Sequence, residues 1–261
     1  MAYEFGPLSI DELGVKQLFT NRLGGFSKGA YLSFNMGLAT SDNSDDLASN
    51  YNKLKDELCL GDYYFVRTKQ THSNNIQIVD KTFLAAANGK EISIDNCDGL
   101  ITDEIGVVLA TYYADCTPAF FLDKKKKVVG VNHSGWRGTR NEISKDMIDI
   151  FINVYGSNPK DIMVFIGPNI SKCCYEVSED LYHEFKDFHE YKVIEASKTK
   201  KGKYYLDMKK AIQVTVLKTG VLEDNIFISE ECTSCLDQKF YSYRRDNKHT
   251  GRMSGMMWLE K

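Results

Sequence analysis

Apolar residues recur along this chain in two rhythms. Short continuous apolar runs predict buried strands at residues 15–20, 63–66, 107–110, 119–122, 128–131, 162–166 and 226–229. Residues 75–79 look like the sequel of the 63–66 strand. A 3.6-residue period predicts helices. Leu47, Tyr51, Leu54 and Leu58 share one face, and Gly61 follows as a stop. Ile143, Met147, Ile150, Phe151 and Val154 share another, ended by Gly156. Thr139 and Glu142 form the capping-box pattern just before that helix. Ser178 is a cap ahead of Leu181, Phe185 and Phe188, and Asp207 caps a helix closed by Gly220. Residues 85–97 read as loop, and 240–245 with 252–259 as two strands around a polar turn. The 196–203 stretch is the most linker-like, but it is short and reads as a loop inside one domain spanning residues 1–261. Helices and strands interleave without a strict βαβ rhythm and without solenoid repeats. This pattern predicts an α+β (mixed α/β) fold.

The stretch from Gly106 to Thr139 organises the rest. Its strands end in Tyr112-Tyr113-Ala114-Asp115-Cys116 and in Asn132-His133, with Lys124–Lys127 as a solvated hairpin turn between them. A second histidine, His72, follows the 63–66 strand. Strand ends hold side chains rigidly and leave them accessible, so they are where sheets usually carry chemistry. After His133 the chain enters a strand-to-helix loop with Trp136 and Arg137. A helix N-terminus favours anions, and a guanidinium fork suits phosphate or carboxylate. The loop at residues 21–27, with Arg22 and the paired Gly24-Gly25, is a candidate substrate or phosphate loop against the simpler reading of a plain turn.

Composition narrows the classes. The chain has 261 residues and is 43% hydrophobic, so it can bury a substantial core. A net charge of −3 offers no basic footprint for nucleic acid. Residues 1–10 lack a signal-like apolar run, and no stretch is long and apolar enough to span a membrane. Seven cysteines are an odd count in a long chain, a poor disulfide framework that suits the reducing cytoplasm.

His72, Cys116 and His133 allow three readings. Two His and one Cys can bind zinc with an open fourth position, where a coordinated water loses its proton near neutral pH. Without metal, Cys116 can be a nucleophile with a His as base. The third reading is an inert buried thiol and two hydrogen-bonded imidazoles. Cys232-x-x-Cys235 is a sharper local motif, but its natural partner pair, Cys173-Cys174, is adjacent in sequence and suits shared tetrahedral ligation poorly. His183, His189 and His249 read as surface residues.

Several motifs then fall in one order: Thr68-Lys69-Gln70-Thr71-His72, Ala114-Asp115-Cys116-Thr117-Pro118, His133-Ser134-Gly135-Trp136-Arg137-Gly138, Gly167-Pro168, Cys232-Thr233, Tyr241-Ser242-Tyr243-Arg244-Arg245-Asp246 and Thr250-Gly251-Arg252. In these the chain resembles the YfiH/YlmD family, also called the laccase-domain or polyphenol oxidase family and peptidoglycan editing factor. One departure is Asn132 and Ser134, where many relatives carry alanine or glycine beside the histidine. The resemblance implies layered mixed β-sheets flanked by helices. It also implies a metal, usually zinc, on His72, Cys116 and His133. The implied activities are phosphorolysis of adenosine, inosine and methylthioadenosine, and deamination of adenosine. Phosphorolysis needs an anion site, for which Arg137, Arg244, Arg245 and Arg22 are the candidates. Two other activities attach to the family. One is peptidoglycan-precursor editing, an amidase reaction using Cys116 or metal-bound water. The other is polyphenol oxidation by a copper-loaded site in vitro. A multicopper oxidase needs a histidine-rich cluster, and five histidines with no His-x-His pair do not supply one. A closed, structural metal in a non-catalytic protein is the remaining alternative.

Overall fold

A computed structural model describes residues 3–8 and 14–261, so part of the 1–10 stretch read above lies outside the described residues. In chain order the strands are β1 (Tyr3–Phe5), β2 (Val15–Thr20), β3 (Tyr64–Lys69), β4 (Ile76–Ile78), β5 (Glu91–Asp95), β6 (Gly99–Thr102), β7 (Val107–Tyr113), β8 (Thr117–Asp123), β9 (Val128–Ser134), β10 (Ile162–Ile166), β11 (Glu176–Ser178), β12 (Ile194–Ala196), β13 (Lys203–Leu206), β14 (Ile226–Ile228) and β15 (Met253–Leu259). The main helices are α1 (Ser44–Glu57), α2 (Lys81–Ala86), α3 (Trp136–Arg140), α4 (Ile143–Asn153), α5 (Glu179–Glu184) and α6 (Met208–Lys218). One six-stranded sheet runs β1-β2-β15-β7-β3-β5, a second runs β14-β10-β8-β9-β6-β4, and a small sheet runs β11-β13-β12. Parallel and antiparallel pairs mix in both large sheets. The fold is α+β, as the sequence predicts.

Side-chain alternation explains the layering. In β7, Val107, Leu109 and Tyr113 enter the core shared with Phe120, Leu122, Val129 and Val131 of the second sheet. The intervening Val108 and Ala110 face Tyr51 and Leu54 of α1. In β8, Ala119 and Phe121 turn the other way, onto Met147, Phe151 and Ile212 of α4 and α6. The order is therefore helix, sheet, sheet, helix. Central strands are covered on both faces, which is why they read as continuous apolar runs. Burying each such side chain contributes about 1.5–3 kcal/mol. No helix among the described residues is long and apolar enough to cross a membrane.

Three expectations are corrected. Residues 85–97 contain the end of α2 and the whole of β5, which pairs in parallel with β3 from Phe65↔Glu91 to Lys69↔Asp95. The alternation of Ile92 and Ile94 with polar neighbours is an edge-strand signature hidden by charge. Thr139 does not cap α4. It lies inside α3, its hydroxyl is buried without a hydrogen-bond partner, and Glu142 turns the chain in left-handed conformation (φ 60°) before α4 begins. Residues 240–245 form no strand, because their backbone is spent on local turns: Asp246 N–H bonds to Ser242 O, and Lys248 N–H to Tyr243 O. Lys124–Lys127 is the expected exposed turn of the β8–β9 hairpin, with buried Asp123 accepting from the N–H groups of Lys125 and Lys126.

Candidate metal centre

Three strand ends meet at one edge of the sandwich. The chain leaves the first sheet at the end of β7 and enters the second at β8. Asp115 makes that crossing in left-handed conformation (φ 86°) and leaves Cys116 at the turn. His133, near the end of β9, is opposite Pro118 of β8. His72 follows β3, also at positive φ (61°). The Cys116 Sγ lies 3.7 Å from His72 Nε2, and the ligand atoms of His72, Cys116 and His133 all lie within 4.8 Å of one another. A tetrahedral zinc with ordinary Zn–S and Zn–N bonds separates sulfur from nitrogen by about 3.5 Å. The donor set and spacing fit that ion.

Asp98, just before β6, builds the support. It is fully buried. Its Oδ1 accepts from His133 Nδ1 (2.8 Å) and His72 N–H (3.1 Å), and its Oδ2 from Thr71 N–H (3.1 Å), Ser73 N–H (2.8 Å) and Ser73 Oγ (2.7 Å). One carboxylate therefore folds the His72 loop and orients His133. With Nδ1–H donating to Asp98, the Nε2 lone pair of His133 is left for a ligand. Gly135 completes the fit, since a Cβ there would lie 2.3 Å from His72 Cδ2.

The electrostatics agree. Burial would push the Cys116 thiol up, but the imidazoles of His133 and His72 outweigh it and hold the thiol at about 6. Burial would push His133 down, yet the Cys116 and Asp98 anions carry it to about 9. Asp98 is held at about 2: burial opposes this, and the hydrogen bonds from His133 and Ser73 prevail. Without an ion the result is a thiolate beside a cationic imidazole, and a metal bound there would take the place of the His133 Nε2 proton.

Cys116 opens into a cavity of about 270 Å³ whose walls include Trp136, Ile170, Tyr175, Tyr243 and Arg244. Arg244 spends Nη1 on Glu176 O (2.7 Å) and stacks over Tyr175. Arg137 is exposed and stacks over Trp136, and no ion pair engages it among the described residues. The helix it begins, α3, is only five residues long, so anion binding there would fall to its side chain. The other two arginines are committed elsewhere. Arg245 grips Asp246 through Nε and Nη2 and donates to Thr233 O, Ser234 O and Phe240 O. Arg22 donates to Leu32 O and Asp237 O and lies over Tyr241. Neither lines the cavity.

Asp115 and Gln70 are also scaffolding. Asp115 accepts from Thr233 Oγ1 and Arg244 N–H, and Gln70 pairs with both the N–H and C=O of Tyr112. Asn132 points to Ser144 of α4, with Ser134 Oγ bonded to it, so this departure from the family pattern leaves the His133 imidazole untouched. Of the remaining histidines, His189 bonds to Tyr182 O and His249 packs on Tyr31, leaving two imidazoles at the centre. Sequence reasoning missed Asp98, Gly135 and the wall residue Tyr175. The only signal for Asp98 was an Asp-Gly step ahead of a strand, and nothing tied it to a histidine 35 residues away.

Two imidazoles and a thiol at the edge of a two-sheet sandwich, beside an aromatic cavity, form a set of side chains that could hold a metal ion. The chain belongs to the family described as multi-copper polyphenol oxidoreductase laccase, whose model matches residues 16–260, and this is the YfiH/YlmD family. It is 37% identical to the purine nucleoside phosphorylase YlmD of Geobacillus stearothermophilus over 238 residues, 90% of this chain and 86% of that one. It is 31% identical to adenosine deaminase RL5 of an unknown prokaryotic organism over 72% of each chain. The crystal structure of the Bacillus licheniformis hypothetical protein YfiH superimposes with a TM-score of 0.88 at 34% identity, covering 94% of this chain and 93% of that one.

Proposed function

We propose that this chain is a zinc-dependent purine nucleoside phosphorylase acting on adenosine, inosine and methylthioadenosine, with adenosine deaminase activity at the same centre. The observation that carries the reading is that the three-ligand set opens, through Cys116, onto an aromatic cavity with Arg244 in its wall. His72, Cys116 and His133 would hold the ion. When bound there, zinc supplies Lewis-acid polarisation of an oxygen that reaches its open position. The protein's own groups supply the rest. Trp136, Tyr175 and Tyr243 offer faces and edges for a purine. Arg244 and Arg137 offer guanidinium donors to phosphate. In phosphorolysis a phosphate oxygen forms a bond to C1′ as the C1′–N bond breaks, and the base departs with a proton. The free cysteines support a reducing compartment, the cytoplasm.

Laccase-type oxygen reduction finds no histidine cluster here, so any polyphenol oxidation would rest on copper occupying the single His₂Cys set. A second reading is favoured by the lowered Cys116 thiol alone: a cysteine nucleophile with an imidazole partner, attacking an amide of a peptidoglycan precursor. Chromatography of zinc-loaded protein with inosine, with and without phosphate, separates the two. Phosphate-dependent hypoxanthine, lost in Cys116→Ala, is the expected result. No hypoxanthine in either condition would sink the phosphorylase and make muramyl precursors the next substrates.

A further inference from the structure

Four cysteines outside the centre converge in a way their sequence spacing hides. Cys173 and Cys174 sit in the turn that follows Asn169, and Cys232, which bridges to Asn169, and Cys235 follow β14. The two loops are laced together by Thr233 N–H to Asn169 O and by Ser171 N–H to the Cys232 sulfur (3.4 Å). All four Sγ atoms lie within 4.8 Å of one another. The adjacency of Cys173 and Cys174 does not keep them apart from the other pair. Their sulfurs are 3.8 Å apart, Cys173 is 3.7 Å from Cys235, and Cys174 is 3.3 Å from Cys235. A zinc ion with four Zn–S bonds of about 2.3 Å requires sulfurs about 3.8 Å apart along every tetrahedral edge. A disulfide would instead draw one pair to about 2.05 Å and leave two sulfurs over.

Two further features ask for negative charge at this point. The Cys232 sulfur receives the backbone N–H of Ser171 (3.4 Å), a donor of the kind that supports a metal-bound thiolate. Beside it Lys209 is buried, 7% exposed, with its ammonium bonded to Ser171 Oγ and Glu231 O and no carboxylate within ion-pair distance among the described residues. A buried ammonium is costly unless an anion compensates it. Four thiols that bind Zn²⁺ release four protons to solvent and leave a site of net charge −2.

We propose that Cys173, Cys174, Cys232 and Cys235 form a second, structural zinc site. It fastens the loop bearing Ile170 and Tyr175, two walls of the cavity, to the loop bearing Thr233, which bonds Asp115 beside Cys116. The site is closed by its own four ligands and stands whether or not the first centre runs phosphorolysis.

The test is metal content by inductively coupled plasma mass spectrometry on full-length protein prepared under reducing conditions with zinc. Wild type should hold two zinc ions per chain, Cys116→Ala one, and Cys173→Ser/Cys235→Ser one. Zinc K-edge absorption of Cys116→Ala should show four sulfurs at about 2.3 Å and no nitrogen. That measurement decides the matter even where the double serine variant does not fold. A folded Cys116→Ala chain that takes up no zinc overturns the proposal, as does a mixed nitrogen–sulfur shell in it. Loss of inosine cleavage with two zinc ions still bound would count against the phosphorylase alone.

Discussion

The two cysteine-containing clusters differ in what they leave unfilled. The first offers three donors from three strand ends, a buried histidine locked by Asp98, and a side open to a cavity. The second offers four sulfurs from two loops, with the Ser171 N–H directed at Cys232. A metal with three protein ligands has a position left for substrate, and one with four does not. The same element placed in both would have different work: reactivity at the first, a cross-link at the second. The first lies between the two sheets at the ends of strands, and the second lies where two irregular loops meet.

The strongest way to break this comparison is Cys116→Ala. It should lower phosphorolysis more than about 100-fold, exceeding the usual effect of losing a group behind a ligand. The fold should persist, because the thiol is peripheral to the packed core. Retained activity in that variant, measured by hypoxanthine release, would make the first cluster as inert as the second. Asp98→Asn comes next. An amide must present N–H₂ to some of the five donors that now converge on the carboxylate. Zinc affinity should fall about 10–100-fold in competition with a chromophoric chelator. Stability should fall by about 2–3 kcal/mol in urea unfolding. An unchanged affinity would detach Asp98 from the centre. Gly135→Ala should act on His72 alone, pushing its ring away from the ion, with a smaller loss of about tenfold in affinity and little change in unfolding.

How much of this was visible in the chain follows the same division. The two-sheet core was legible because β7, β8 and β9 are covered on both faces and so lose the alternation that would mark a solvated strand. His72, Cys116 and His133 stood out because each follows an apolar run. Asp98 did not, because an aspartate before a glycine has a plain turn reading and its partner is set by tertiary pairing of β6 with β9. The convergence of Cys173 and Cys174 with Cys232 and Cys235 was hidden for a related reason. Adjacent cysteines look unable to share a tetrahedron until the turn that starts at Ser171 brings both sulfurs to Cys235. β5 was hidden by its charges, and the end of the chain by rich turn chemistry around Asp246.

The smallest effect separates the two neighbouring arginines, which the sequence treats alike. Arg244 lines the cavity and uses one guanidinium nitrogen on Glu176 O, so its remaining donors are free for a ligand. Arg245 has every nitrogen of its guanidinium engaged by Asp246 or by loop carbonyls. Arg244→Ala should therefore raise KM for phosphate by about tenfold, the loss of one charge-assisted hydrogen bond of about 1.5 kcal/mol, at unchanged unfolding midpoint. Arg245→Ala should do the reverse. It strands three carbonyls and one carboxylate, costing about 2 kcal/mol of stability with KM for phosphate unchanged in the folded fraction. The paired measurement is steady-state kinetics against phosphate beside urea unfolding. An exchange of the two outcomes would mean that the guanidinium of Arg245 leaves the loop to meet the anion, and that the loop's rigidity comes from the four cysteines rather than from the arginine.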